Sequence, residues 1–295
     1  MEALSILIPV FDWDCSQLVK DLHLQGLSLG IPYEIIVADD CSTDAELRER
    51  NRTVTESLEN CRFIGLSRNI GRASIRNLLA DKARYGKLLF IDCDVAVKDN
   101  SFLGNYIDAS DRASVICGGM VHPDSLPAPG VELRWTYEKE ADKERAAECR
   151  NRAPYARFTP FSFMIDRDVF MQIRFDTSYK GYGYEDVQFG HELEKQGVSI
   201  LHIDNPLVHL GLESNEVFLG KTRQAVENAY MHREEIGGSS RLLNHYNRVS
   251  KCFMRWVFRM IWAFSCKGME KNLLGQKPSL KVFSLYKLCY LCSLK

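Results

Sequence analysis

A chain of 295 residues, 45% apolar and 26% charged, has an ordinary globular composition and can bury a full α/β core in one large domain or two small ones. The formal net charge of −1 is segregated: residues 248–295 carry ten Lys or Arg against one acid, Glu270, a net +9 that leaves −10 on the rest. That balance excludes a generally basic nucleic-acid binder, while the basic tail keeps an anionic membrane surface open as a partner.

In chain order, apolar runs at 4–10, 34–38, 62–66, 88–91 and 115–117 alternate with helix-length patterns at 16–27, 44–58 and 73–84. Strand followed by helix at this spacing predicts βαβ units on a mostly parallel sheet. A Pro-rich loop at 123–130 breaks the rhythm, and one charged helix is expected over 131–150. A strand at 161–165, a Gly/Tyr loop at 179–184, a helix at 185–196, an apolar piece at 199–203 and a helix at 216–235 follow. Residues 237–240, Gly-Gly-Ser-Ser, read as a linker, dividing a domain at 1–235 from a basic, aromatic-rich helical extension at 236–295.

Ligands of open parallel sheets bind at the carboxyl ends of strands. Those ends carry Pro9, Phe11 and Asp12, then Asp39 and Asp40, then Arg68 and Asn69, then Asp92 and Asp94. The D-x-D of Asp92-Cys93-Asp94 puts two hard oxygen ligands on one side of an extended segment, which suits Mg²⁺ or Mn²⁺ bridging to a diphosphate. The alternative is a turn cap beside a solvated acid. Ser42 or Thr43 is expected to cap the helix that follows, with Asp44 in its first turn.

The run Ser5-Ile6-Leu7-Ile8-Pro9-Val10-Phe11, then Val37-Ala38-Asp39-Asp40-Cys41-Ser42-Thr43-Asp44, then Arg68-Asn69-Ile70-Gly71-Arg72-Ala73-Ser74-Ile75-Arg76-Asn77, then Asp92-Cys93-Asp94 resembles a family 2 glycosyltransferase of GT-A fold. Downstream, Gly181-Tyr182-Gly183-Tyr184-Glu185-Asp186 is similar to the G-x-G-x-E-D segment of such enzymes and of galactosyltransferase-type C-terminal halves. The resemblance implies that Pro9, Phe11 and Asp40, with Asp39 nearby, hold base and ribose, and that Arg68 and Arg76 lie near base or diphosphate. It implies Asp92 and Asp94 facing ribose and metal, Asp186 as catalytic base, Glu185 orienting a sugar, and His209 as a third metal ligand. Asp12 stands where many members have Asn or another small polar residue, which leaves base selectivity open, with UDP the favoured carrier.

The chemistry is reasonable in its own terms. A divalent cation neutralises the leaving diphosphate, the transition state is oxocarbenium-like, and a carboxylate takes the acceptor's proton. Asp186 at a helix start is expected to be a base of ordinary strength. His209, if it ligates, favours Mn²⁺ over Mg²⁺; the alternative is a satisfied core histidine. Tyr182, Tyr184 and Trp135 are candidates for an aromatic wall against a saccharide acceptor, with core packing the alternative for Trp135. Residues 253–264, apolar but interrupted by Arg255 and Arg259, are too short and charged to span a bilayer. They fit an interfacial helix on an anionic inner leaflet, serving a lipid-linked acceptor, or a helix packed on the domain. Ten scattered cysteines, with Cys289 and Cys292 the one close pair, predict a reducing compartment, and no secretory signal pattern opens the chain. The expectation is therefore an inverting, metal-dependent cytoplasmic glycosyltransferase, peripheral at the inner membrane face, in polysaccharide or glycoconjugate synthesis. The alternatives are a nucleotidyltransferase, which lacks its Gly-rich phosphate loop here, and a non-catalytic sugar-nucleotide binding module.

Overall fold

The alternating runs become a seven-stranded sheet in a computed structural model that describes residues 3–236, 238, 240–252 and 254–294. The first half contains β1 (Leu4–Val10), α1 (Ser16–Ser28), β2 (Tyr33–Asp39), α2 (Ala45–Glu56), β3 (Cys61–Gly65), α3 (Arg72–Lys82), β4 (Lys87–Ile91), β5 (Val95–Ala96), α4 (Phe102–Ala109), β6 (Val115–Cys117) and β7 (Met120–Val121). The second contains α5 (Glu132–Asp142), α6 (Ala147–Asn151), β8 (Ser162–Asp166), α7 (Arg167–Ile173), α8 (Glu185–Lys195), β9 (Ile200–His202), β10 (Leu207–His209), α9 (Asn215–Met231) and α10 (Arg233–Ile236). Last come α11 (Arg241–Lys251), α12 (Arg255–Leu273) and α13 (Leu280–Ser293).

The sheet order is β3-β2-β1-β4-β8-β6-β9, and β8 alone runs against its neighbours. Leu4, Ile6, Ile8 and Val10 of β1 face one apolar core and Leu7 faces the other, as the two-residue period requires. Every residue of β2 is buried, which is why its sequence is an unbroken apolar run rather than an alternating one. The register sets Val10 beside Asp39 and Asp39 beside Gly65, so the strand ends line up along one edge.

A second, three-stranded sheet, β5-β10-β7, sits beyond that edge. None of its strands is longer than three residues, too short to leave a period in the sequence. The helix expected over 131–150 is two helices, α5 and α6, with Glu144 and Arg145 turning back onto Ala141 and Asp142. Gly237 and Ser239 of the expected linker, and Phe253 of the apolar segment, lie outside the described residues. Ser240 caps α11 through the Leu243 amide.

The C-terminal helices bury one face and leave another bare. Met269 and Leu273 of α12 and Phe283, Tyr286 and Cys289 of α13 share a core with Leu133, Phe218 and Leu219 of α5 and α9. Trp256, Met260 and Phe264, one turn apart on α12, are 67%, 48% and 80% exposed. Among the described residues no helix is long and apolar enough to cross a membrane.

Candidate active site

Two strand ends are tied together before any ligand is considered. The fully buried Asp39 accepts from the Ser42 amide (3.0 Å) and hydroxyl (2.5 Å) and pairs with Arg48 at 3.0 Å. Asp12, at φ +50°, accepts from the Thr43 amide at 2.6 Å, and its own amide donates to the Ser42 hydroxyl at 2.9 Å. Ser42 is thus spent on this clasp, and Asp44 caps α2 through the Glu46 and Leu47 amides instead of Ser42 or Thr43. Asp39 has a structural task, and the expectation that it lies beside a nucleotide is corrected: its carboxylate is consumed by the loop it closes. Asp40 faces the cleft and accepts from the Ile70 and Gly71 amides at 2.7 and 2.9 Å. Burial raises its carboxyl above the usual range, against the pull of those two donors.

The cleft at the sheet edge encloses about 780 Å³. Pro9, Phe11, Asp40, Arg76, Asp92, Asp94, Tyr182, Asp186 and His209 all line it. Arg68, Trp135, Tyr184 and Glu185 do not reach its lining. Arg68 is exposed, the Trp135 indole N–H donates to the Pro123 carbonyl, and the Tyr184 hydroxyl bonds Ser240. Trp135 and Tyr184 as acceptor contacts are therefore corrected; Tyr137, on the same helix as Trp135, lines the cleft in its place.

Charge in the cleft is organised by two arginines one turn apart on α3. Arg76, 2% exposed, donates to Asp92 Oδ1 at 2.5 Å and stacks over Phe175. Arg72 donates to Glu185 Oε1 at 2.9 Å, stands 4.0 Å from Asp92 Oδ2, and covers the Tyr182 ring at 5.1 Å. Asp92 is thereby an arginine partner, held away from the ligand role offered for it. Arg72 went unassigned in the sequence; its four-residue spacing from Arg76 was the available signal.

The loop before α8 aims the next two acids. Gly181 (φ +70°), Gly183 (φ +91°) and Tyr184 (φ +73°) are all left-handed, and a Cβ on Gly183 would meet Ala225 Cβ at 2.7 Å. The Asn228 amide donates to the carbonyls of Lys180, Tyr182 and Gly183 at 2.8, 3.3 and 3.1 Å and pins the loop to α9. Glu185 is turned inward; burial opposes its ionisation, but Arg72 and Arg76 hold its carboxyl below the usual range. Asp186 faces the cleft, and burial, reinforced by the Glu185 charge, pushes it up to about 6. It is a stronger base than the ordinary one its helix-start position predicted.

The short sheet completes the site. His209 of β10 pairs with Val95 and Val208 with Val121, so the ends of three short segments meet where Asp94, His209 and His122 adjoin. His209 Nε2 lies 3.2 Å from Asp94 Oδ2. Bonds of about 2.1 Å at right angles would separate two ligands of one octahedral ion by about 3.0 Å, so this spacing fits neighbouring ligands. Among the described residues no third His, Cys, Asp or Glu joins them as a ligand group. Gly211 covers this pair: a Cβ there would come within 2.8 Å of Asp94 Cβ and Cγ.

This sheet, its reversed strand and the cleft at the parallel strand ends make a GT-A-type α/β fold. A profile described as glycosyl transferase family 2 matches residues 5–174, more than half of the chain, and the protein belongs to that family. The match ends short of the 181–186 loop. No curated protein matches. Among solved structures, S. aureus TarS shares 18% identity at TM-score 0.50 over 78% of this chain, which spans only 40% of that protein. TarS 1–349 shares 15% at 0.52, covering 99% of this chain and 90% of that one. The mannosyltransferase PcManGT from Pyrobaculum calidifontis, solved with GDP-Man and Mn²⁺, shares 12% at 0.59, covering 98% and 85%.

Proposed function

We propose that this glycosyltransferase moves a sugar, with inversion, from a nucleoside-diphosphate donor to a saccharide hydroxyl, using Asp186 as the base. One observation carries the reading: Asp186, raised to about 6, shares a single cleft with Asp94, His209, Asp40, Pro9 and Phe11. A base near the working pH accepts a hydroxyl proton while remaining ionised in most molecules. The likeness of residues 181–186 to the G-x-G-x-E-D segment supports the same assignment, and one base without a second carboxylate nucleophile favours inversion.

Pro9, Phe11 and Asp40 are offered to the base and ribose. PcManGT was solved with GDP-Man and a TarS fragment with UDP, which supports a nucleotide-sugar donor. UDP is favoured. Asp94 and His209 would hold a divalent cation, Mn²⁺ before Mg²⁺ given the imidazole, and donor phosphates and water would complete its shell. Bound there, the cation neutralises the departing diphosphate. Arg72 and Arg76 position Glu185 and Asp92, and Tyr182 and Tyr137 offer ring faces to the sugars. The bare Trp256, Met260 and Phe264 row beside Arg259 and Lys267 supports a peripheral seat on an anionic inner leaflet, within reach of a lipid-linked acceptor.

The test is donor turnover across a panel of UDP-, GDP- and dTDP-sugars, with and without Mn²⁺, for wild type and Asp186→Asn. Turnover of one donor class, dependent on Mn²⁺ and lowered by about 10²–10⁴ in the variant, is expected. Undiminished turnover in Asp186→Asn removes the base assignment.

A further inference from the structure

Behind His209 runs a buried hydrogen-bond chain that the transfer chemistry does not use. His209 Nδ1 faces His122 Nε2 at 3.3 Å, and His122 Nδ1 faces Asp142 Oδ1 at 3.0 Å. Both rings are buried, and Asp142 is held by Arg145 Nε at 2.7 Å and Lys139 at 3.3 Å, which keep it an ionised acceptor. With the Asp94 contact, three gaps separate four groups whose two ends are carboxylates. Two neutral imidazoles bring only two N–H protons to three gaps.

Their placement is forced from the far end. Asp142 only accepts, so His122 carries its proton on Nδ1. His122 Nε2 is then the acceptor, and His209 must donate from Nδ1. Glu138 Oε2, 3.6 Å from His122 Nε2, is beyond hydrogen-bond reach and is occupied by Arg145, while Glu138 Oε1 meets Arg134 at 2.8 Å. The gap left without a proton is the one opening on the cleft: a bare His209 Nε2 facing the Asp94 carboxylate. Two acceptors 3.2 Å apart call for a cation between them.

We propose that His122 and Asp142 are positioning residues that fix the His209 tautomer and ring, so that Nε2 is held as a ready ligand for a divalent cation. The inference rests on the metal reading above and adds to it the residues that make His209 competent. An outer partner of this kind orients the ring and raises its basicity, and losing one weakens metal binding 10–100-fold.

The experiment is Mn²⁺ titration of the full chain by calorimetry in saturating UDP, for wild type, His122→Phe, His122→Gln and Asp142→Asn. Nitrogen-detected NMR of the histidine rings accompanies it. Expected are Nδ1–H tautomers on both rings of wild type and a 10–100-fold loss of Mn²⁺ affinity in His122→Phe and Asp142→Asn. A smaller loss is expected in His122→Gln, whose amide oxygen can still accept from Nδ1. The KM for Mn²⁺ rises while kcat at saturating Mn²⁺ stays near wild type, which a general loss of folding would not produce. Should His122→Phe prove unfolded by circular dichroism, Asp142→Asn at the partly exposed end decides alone. Wild type binding Mn²⁺ with affinity unchanged in the variants overturns the relay and leaves the metal reading standing. Wild type that binds no Mn²⁺ overturns both.

Discussion

Lowering the pH tests the site most directly, because Asp186 and an ordinary aspartate part company between pH 4 and 6. Burial in the cleft wall, with the Glu185 charge beside it, raises the Asp186 carboxyl from 3.8 to about 6. At pH 7.5 about 97% of molecules then hold the ionised base, and at pH 5 about 9%, so kcat/KM should fall about tenfold. An unshifted aspartate would lose only about 6% over the same range. The sign for stability follows by linkage. The folded state binds this proton more tightly than the unfolded chain, so the group favours folding below about pH 4, and that contribution is lost as pH rises through 6. Above 6 the ionised carboxylate costs up to about 3 kcal/mol, from 1.36 kcal/mol for each of about two units. Asp186→Asn, which still accepts from the Val187 amide now bonded at 2.8 Å, should therefore be inactive yet harder to unfold at pH 7.5, with no gain at pH 4. The assays are donor turnover at subsaturating substrate from pH 4.5 to 8.5 and urea unfolding at both pH values. Glu185→Gln, by removing the neighbouring charge, should move the acid limb to lower pH. A limb near pH 4, or a variant no more stable than wild type at pH 7.5, refutes the reasoning.

Other parts of the site give independent expectations. Gly211→Ala forces a methyl into the space of Asp94 and should raise the Mn²⁺ requirement at least about tenfold, read as KM for Mn²⁺ at saturating donor. Asn228→Ala frees three carbonyls of the 180–183 loop; it should cost about 1–3 kcal/mol in urea unfolding and speed amide exchange across that loop before anywhere else. Arg76→Ala leaves Asp92 without its 2.5 Å partner and should destabilise by about 3 kcal/mol, with Arg76→Ala/Asp92→Asn recovering part of the loss in the same assay. Trp256→Ser/Phe264→Ser should abolish sedimentation with phosphatidylserine vesicles while leaving turnover of a soluble acceptor unchanged; undiminished sedimentation sinks the membrane reading.

How far the sequence disclosed all this depends on the length of the element and on what each side chain is spent on. The parallel half was legible because β1 and β2 are seven residues each and bury a run long enough to be recognised, and the D-x-D stood out as polar residues at the end of such a run. Asp39 and Asp40 looked alike as neighbours in a chain, yet the strand's two-residue period turns one into the loop and the other to the cleft, and only the partners Ser42 and Arg48 reveal which is which. Trp135 and Tyr137 pose the same problem on a helix, where two positions rotate a side chain by about 200° and exchange the wall for the packed side.

The metal-side half was hidden for a different reason. His209 was found through resemblance, but His122 lies in a two-residue strand preceding a Pro-rich loop, 87 positions from the ring it touches. Nothing local marks such a residue, because its role is set by a proton count over groups drawn from α5, β10 and the segments beside β5 and β7. The three-stranded sheet is what makes that count possible. Its pairings are too short to stabilise themselves, so they persist only where the larger core holds their ends. A substitution that loosens the small sheet without touching any polar group should thus weaken cation binding as a ligand loss does. Val208, paired with both Ala96 and Val121, is the position where that expectation is sharpest: Val208→Gly should raise the Mn²⁺ requirement while the seven-stranded sheet, and the urea midpoint it governs, change little.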